Sequence, residues 1–360
     1  MIKLAMQRKK QTAIRVGLWL SIVVLITIIV VIPGLLIKGS SSPSPSDGTS
    51  LPANGSVQVS AAAEAAKSLI VPVYLTKEQR IDRIPIESYV RGVVAAEMPV
   101  EFEAEALKAQ ALAARTYIVR RILEKDTSSV PVKGAWVTDT VAHQAYLTDS
   151  QLEAQWGAEA YRQNAAKISS AVEETKGLIL TYDGKPITAT FFSTSNGYTE
   201  NAEDYWSEAI PYLRSVKSPW DSKLSPRYRE TITMPYSEFA RKLGIGGSVA
   251  ASSAVSGSKT LETSDGHRIK QIKIGGKLFS GRQVREKLGL NSSQFQFKLK
   301  GKDVEITTTG YGHGVGMSQW GANGMAKEGK TAEQIVTYYY TGIQIESDAS
   351  YLEQASKSDF

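Results

Sequence analysis

The chain has 360 residues, 42% hydrophobic and 22% charged, ordinary values for a globular protein and enough for one large domain or two modest ones. It contains no cysteine, which excludes a disulfide scaffold and thiolate metal sites while leaving the compartment open. The formal charge of +6 is concentrated at the start: Lys3, Arg8, Lys9, Lys10 and Arg15 precede any acidic residue. Setting these aside leaves basic and acidic residues almost equal in number, so composition gives no support to a nucleic-acid-binding face.

Residues 1–15 form the basic tail. Val16 to Ile37 follows without a single charge, long enough for a helix to cross a bilayer core of about 30 Å. Basic residues before it and none behind it until Lys38 place the N-terminus inside and the rest outside. The alternative is a cleaved signal peptide. The apolar run exceeds the usual length for that, and no small-x-small site follows it directly, which favours an uncleaved transmembrane anchor. ATP, NAD and intracellular substrates are then out of reach. Residues 38–67, rich in Ser, Pro and Gly, read as a flexible tether.

Folded patterning begins at 68 and is expected to run to 345. "LIVPVYL" (69–75) predicts a strand. "IPIESYVRGVVAAEM" (84–98) has helical spacing and should end at Pro99. A second helix is predicted from about Val100 to Lys125, with Glu101, Glu103 and Glu105 as its acidic first turn and Arg120 and Arg121 near its end. Residues 150–175 read as one or two helices. "GLILTYDGKPITATFF" (177–192) reads as a hairpin turning at Asp183-Gly184. Residues 225–300, with the low-complexity stretch 244–259 inside, read as a smaller lobe or insertion. "FQFKLKGKDVEITTTG" (295–310) predicts a hairpin turning at Gly301-Lys302, and Thr331 with Gln334 predicts a capping box for a last helix ending near Gly342. The tail, 346–360, is expected to be frayed. Strands and helices mix without βαβ alternation, so the fold class is α+β.

Three segments stand out chemically. Glu97 sits between Ala95-Ala96 and Met98-Pro99, where a carboxylate has little to pair with locally. A helix C-terminus and apolar neighbours both raise a carboxyl pKa and keep a proton available, as a general acid for glycoside cleavage requires. The alternative is a partly exposed helix-end glutamate. "GYGHGVGMSQWG" (310–321) presents His313 on a glycine-rich backbone that matches neither dinucleotide nor P-loop spacing; Tyr311 and Trp320 offer faces for stacking on sugars. Its alternative is a tight strand-to-helix connection. "FFSTSNGYTENAEDYW" (191–206) offers hydroxyls and an amide to a polyhydroxylated ligand, or else is a polar loop with an Asx turn at Asn196. The three histidines, His143, His267 and His313, are scattered, which argues against zinc. Ser256-Gly-Ser-Lys259 lacks a Lys-Thr-Gly partner and reads as chance.

Together "IESYVRGVVAAEMP", "EALKAQALAARTY", "FFSTSNGYTENAEDYW", "PYLRSVKSPWD" and "GYGHGVGMSQWGA" resemble the sporulation stage II protein D family of endospore-forming Gram-positive bacteria, whose core is shared by the amidase-enhancer proteins of cell-wall lytic systems. The resemblance spans about residues 70–343, and the upstream anchor and tether agree with it. It implies a membrane-anchored lytic transglycosylase in the mother-cell engulfing membrane. Such an enzyme cuts the bond between N-acetylmuramic acid and N-acetylglucosamine of peptidoglycan, preferably stripped of stem peptides, during engulfment of the forespore. It also implies Glu97 as the catalytic residue, and the sporulation amidase stage II protein P and the membrane protein stage II protein M as partners. Some relatives hold zinc by cysteine and histidine near 138–150; here His143 has no cysteine beside it, so no metal and no cofactor are expected, and packing alone should hold that loop. Gln144 and Tyr146 match the family's Gln-x-Tyr element. Ser193, Ser195, Asn196, Tyr198 and His313 are candidates for positioning the sugar.

A lytic transglycosylase needs one carboxyl group, because the muramyl 6-hydroxyl is the nucleophile and the product is a 1,6-anhydro sugar. Two other readings stay open. One is a non-catalytic glycan-binding activator of a partner amidase. The other is a two-carboxylate hydrolase with Glu200, Glu203 or Asp204 as second group.

Overall fold

The computed structural model describes residues 69–246 and 249–357. The basic tail, the apolar run 16–37 and the tether lie outside the described residues, among which no helix is long and apolar enough to cross a membrane.

The described chain opens with an antiparallel pair, β1 (Ile70–Leu75) and β2 (Arg80–Pro85). The second strand was not foreseen, because its alternation of charge and isoleucine is short and runs directly into α1 (Ile86–Glu97). This helix buries Ile86, Tyr89, Val90, Val93 and Val94 along one face, the spacing of an amphipathic helix. Met98 is extended and Pro99 follows, so α1 stops at Glu97.

The next helix, α2 (Ala104–Leu123), begins four residues later than expected. Glu101 therefore lies in the connecting turn and Glu103 takes the N-cap position without a side-chain capping bond, leaving only Glu105 in the first turn. The alanines of α2 from Ala106 onward are buried, and it packs against α1 and six later elements. Next come the short β3 (Val137–Thr138), parallel to β1, and the helices α3 (Asp149–Trp156) and α4 (Ala158–Glu173).

The expected hairpin at 177–192 is only half realised. β4 (Leu178–Tyr182) turns through Asp183 and Gly184, with φ of 49° and 69°, into β5 (Lys185–Pro186). The chain then leaves, and β6 (Phe191–Phe192) finds a different partner. Short helices α5 (Ala202–Trp206) and α6 (Asp221–Leu224) follow.

From β7 (Arg229–Pro235) and α7 (Tyr236–Leu243) the chain builds a second hydrophobic cluster. It includes the meander β8 (Lys259–Thr263), β9 (Ile269–Ile274) and β10 (Lys277–Ser280), the helix α8 (Gly281–Leu288), and the hairpin β11 (Phe295–Lys300) with β12 (Asp303–Thr309). Phe239, Leu243, Ile272, Ile274, Val284, Leu288, Val304 and Ile306 form its centre.

The chain returns to the main cluster through β13 (Met317–Ser318), which pairs in parallel with β6, and α9 (Gln319–Lys327). α10 (Ala332–Tyr339) carries the expected Thr331–Gln334 capping box. The tail departs from expectation. β14 (Gln344–Ser347) pairs with β4, and α11 (Ala349–Lys357) continues to the end of the described residues. The Asp348 amide donates to the Gly177 carbonyl, and the Tyr351 hydroxyl reaches the Gly184 carbonyl and Glu346, so the edge of β4 organises the segment.

Candidate active site

Segments 190–200 and 311–320 are laced together by backbone hydrogen bonds. The Thr194 and Tyr311 amides donate to each other's carbonyls, at 3.0 and 2.7 Å, Glu200 N donates to Gly314 O at 2.8 Å, and Met317 N donates to Thr190 O at 3.1 Å. Gly310, Gly312, Gly314 and Gly316 all have positive φ, between 81° and 117°, and three of them face crowded neighbours. A Cβ on Gly312 would lie 2.7 Å from Phe192, on Gly314 2.3 Å from Arg268, and on Gly316 2.1 Å from the Thr190 carbonyl. The alternating glycines thus permit both a left-handed backbone and close approach to the neighbouring segment.

Below this junction lies Asp221, fully buried at the end of "PYLRSVKSPWD". Its carboxylate accepts from the Ser195 amide and from the hydroxyls of Ser218 and Ser318. Burial pushes its pKa up, opposed by these hydrogen bonds. One carboxylate thereby ties three of the motif segments together.

Above the junction is a cleft of about 390 Å³. Its lining comes from both laced segments, from α1 and α2 through Glu97 and Tyr117, from the loop bearing Val141, His143 and Gln144, and from α8 through Arg285. Val141, 89% exposed, forms an apolar edge. Among the described residues lining the cleft, Glu97 alone carries a carboxyl group. It is half-buried at the last position of α1. The Ala145 amide donates to Oε1 at 2.9 Å, and Gln319 Nε2 lies 3.5 Å from Oε2. Burial raises the Glu97 pKa, and the two donors oppose that rise only in part.

The other expected site residues divide. Ser193, Gln144 and His313 line the cleft with Glu97. Gln144 is almost fully buried, accepts from the Tyr89 hydroxyl, and has an amide nitrogen with no partner. The His313 ring lies against Phe192, Tyr205 and Trp206; its Nδ1 accepts from the Val315 amide, and burial with the nearby Arg285 and Arg268 pushes its pKa down to about 3. Burial and the two cations thus favour the neutral ring.

Ser195, Asn196, Tyr198 and Tyr146 do not line the cleft. The Ser195 hydroxyl is buried between the Ser218 carbonyl and the Gly197 amide. Asn196 makes the Asx turn with the Tyr198 amide and donates to the Gly266 carbonyl, while Tyr198 packs edge-on to His267. Tyr146 is stacked on Tyr89 over Gly92, where a Cβ would meet its ring at 2.3 Å. Trp320 lies edge-on against Phe102 beside the main core.

The 138–150 loop is not held by packing alone. Thr138 N and Oγ1 lie 3.2 and 2.8 Å from His143 Nδ1, and Nε2 is 3.1 Å from the Ser128 carbonyl, so both ring nitrogens serve as loop ties.

Glu200, Glu203 and Asp204 line a separate cavity of about 130 Å³ and pair with Arg268, Arg214 and Lys270 respectively. Residues not singled out from sequence include Gln319, whose Nε2 donates to both Glu97 and Gln110, Gln110 itself, and Arg285. Gln319 belongs to the glycine-rich segment 310–321, whereas Arg285 has no signal beyond its place in a capped amphipathic helix.

Fold and cleft together define an α+β protein with a groove of polar, aromatic and apolar groups built around one half-buried carboxyl group. A family model described as "Stage II sporulation protein" (SpoIID) matches residues 74–182. The chain is 48% identical over 347 residues to stage II sporulation protein D of Bacillus subtilis (strain 168), covering 96% of this chain and 98% of that one. It is 51% identical over 284 residues to the protein of the same name from Bacillus amyloliquefaciens, covering 79% and 80%. The amidase enhancer of Bacillus subtilis is 30% identical over 307 residues, 72% of this chain and 40% of that protein. The chain belongs to the stage II sporulation protein D family.

Proposed function

We propose that the protein is a lytic transglycosylase of peptidoglycan, with Glu97 acting first as acid and then as base. The observation that carries this reading is a single carboxyl group, raised in pKa by burial, in a cleft lined also by polar and aromatic side chains, one cation and an apolar edge. Protonated Glu97 donates to the glycosidic oxygen leaving the muramyl C1. The resulting carboxylate takes the proton from that sugar's own 6-hydroxyl, which closes on C1 to give a 1,6-anhydro end, and no water is consumed. Holding the nucleophile on the same sugar replaces a bimolecular step by an intramolecular one. The donors at Ala145 and Gln319 steady the carboxylate formed between the two proton transfers.

Family membership supports sporulation as the setting; the proposal adds that the folded part lies outside the membrane, with the sporulation amidase stage II protein P and stage II protein M as partners. A second reading is supported by the relative named amidase enhancer: the cleft binds glycan and activates a partner amidase without cutting. Mass spectrometry of peptide-free glycan treated with the full chain separates the possibilities. Anhydro ends support the proposal, hydrated reducing ends indicate a hydrolase, and intact strands that remain bound support the activator.

A further inference from the structure

Arg285 lies on α8, within the smaller hydrophobic cluster, yet lines the cleft that holds Glu97. It is half-buried, donating from Nη1 to the Tyr205 hydroxyl at 3.1 Å and from Nε to the Leu290 carbonyl at 3.3 Å. Both partners are neutral. The acids of this region are committed elsewhere: Glu200 to Arg268, Glu203 to Arg214, Asp204 to Lys270 and Glu286 to Arg282. A guanidinium drawn partly out of water without an anion carries a desolvation cost that an anionic ligand would offset.

The acid of the cleft is held by other groups. The groups acting on Glu97 are its burial, the Ala145 amide and Gln319, whereas Arg285 acts on His313 and Arg268. The cleft thus offers a carboxyl group whose pKa burial raises at one point and, among the described residues, a cation with no acidic partner at another.

We propose that Arg285 is a carboxylate-recognition site, binding the free lactyl carboxylate of a muramic acid residue whose peptide has been removed; this rests on the glycan reading of the cleft. N-acetylated amino sugars are neutral. While a peptide is attached, the lactyl carboxyl is an amide and neutral too. Once freed, it is the only charged group on the strand, and the planar guanidinium fork matches it bidentately. The main core then supplies the acid, and α8 supplies selection for peptide-free substrate.

The test is binding, measured calorimetrically on the full chain in a mild detergent with Glu97→Gln in every variant, so that nothing is cut. Two ligands are compared: a peptide-free muramic-acid tetrasaccharide with free lactyl carboxylates, and the same tetrasaccharide with those carboxylates capped as methylamides. The free acid is expected to bind about tenfold more tightly. Arg285→Gln is expected to bring that ratio close to one, and Arg285→Lys to leave an intermediate ratio. Equal affinity of the Arg285 chain for both ligands, or an unchanged ratio in Arg285→Gln, overturns the proposal. If Arg285→Gln does not fold, the ratio on the Arg285 chain and its change in Arg285→Lys decide. If the unaltered protein cuts neither glycan, the transglycosylase reading falls while the affinity ratio still decides this one; failure to bind either glycan overturns both.

Discussion

Gln319, the first residue of α9, reaches Glu97, the last residue of α1, across 222 positions of sequence, with Nε2 3.5 Å from Oε2 and 3.4 Å from Gln110 Oε1. The bond favours the ionised form of Glu97 against a burial that favours the protonated one. Removing the donor in Gln319→Ala therefore raises the Glu97 pKa further. An acid that must be protonated to work then stays active to higher pH. The alkaline limb of the pH profile of kcat/KM is expected to move up by about 0.3 to 1 unit. A limb that moves down, or does not move, contradicts this assignment of the limb to Glu97.

Asp221 concentrates the tie between motif segments in one fully buried group. Asp221→Ala leaves the Ser195 amide and two serine hydroxyls without their acceptor. A loss of roughly 3–5 kcal/mol in unfolding free energy is expected by denaturant titration. A loss below about 1 kcal/mol would show that the segments are held by their backbone pairing alone.

Gly316 tests the glycine-rich loop. At φ 81°, with its added Cβ 2.1 Å from the Thr190 carbonyl, alanine is both strained and obstructed by backbone that cannot rotate away. Gly316→Ala is expected to part β6 from β13, costing about 2–4 kcal/mol and most of the activity. Gly329, also at positive φ but with open space around it, is the control: Gly329→Ala should cost about 1 kcal/mol and leave glycan cleavage intact.

Several parts of this arrangement were legible in the sequence for identifiable reasons. Pro99 announces the end of α1, and the apolar neighbours of Glu97 announce its burial. Gly301 and the Thr331–Gln334 pair mark a hairpin and a helix start by local chemistry alone. The hydroxyl-rich run at 193–196 was readable only in part. Ser193 lines the cleft, while Ser195 and Asn196 turn inward to bond backbone groups, and the two outcomes use the same residue types. Residues 191–192 read as the end of the hairpin's second strand, but β6 pairs instead with β13, and a strand of two residues takes its partner from far along the chain. Arg285 and Gln319 owe their places to tertiary packing that no local pattern encodes.

The central claim is that one carboxyl group performs both proton transfers. It is tested most directly by mass spectrometry of peptide-free glycan after incubation with the protein and with Glu97→Gln, the two being matched for circular dichroism and thermal unfolding. The expected result is 1,6-anhydro ends with Glu97 and none with Gln at that position, a loss of at least about a thousandfold in rate. Anhydro ends formed at comparable rates by Glu97→Gln, or hydrated ends formed by the unaltered protein, would contradict it.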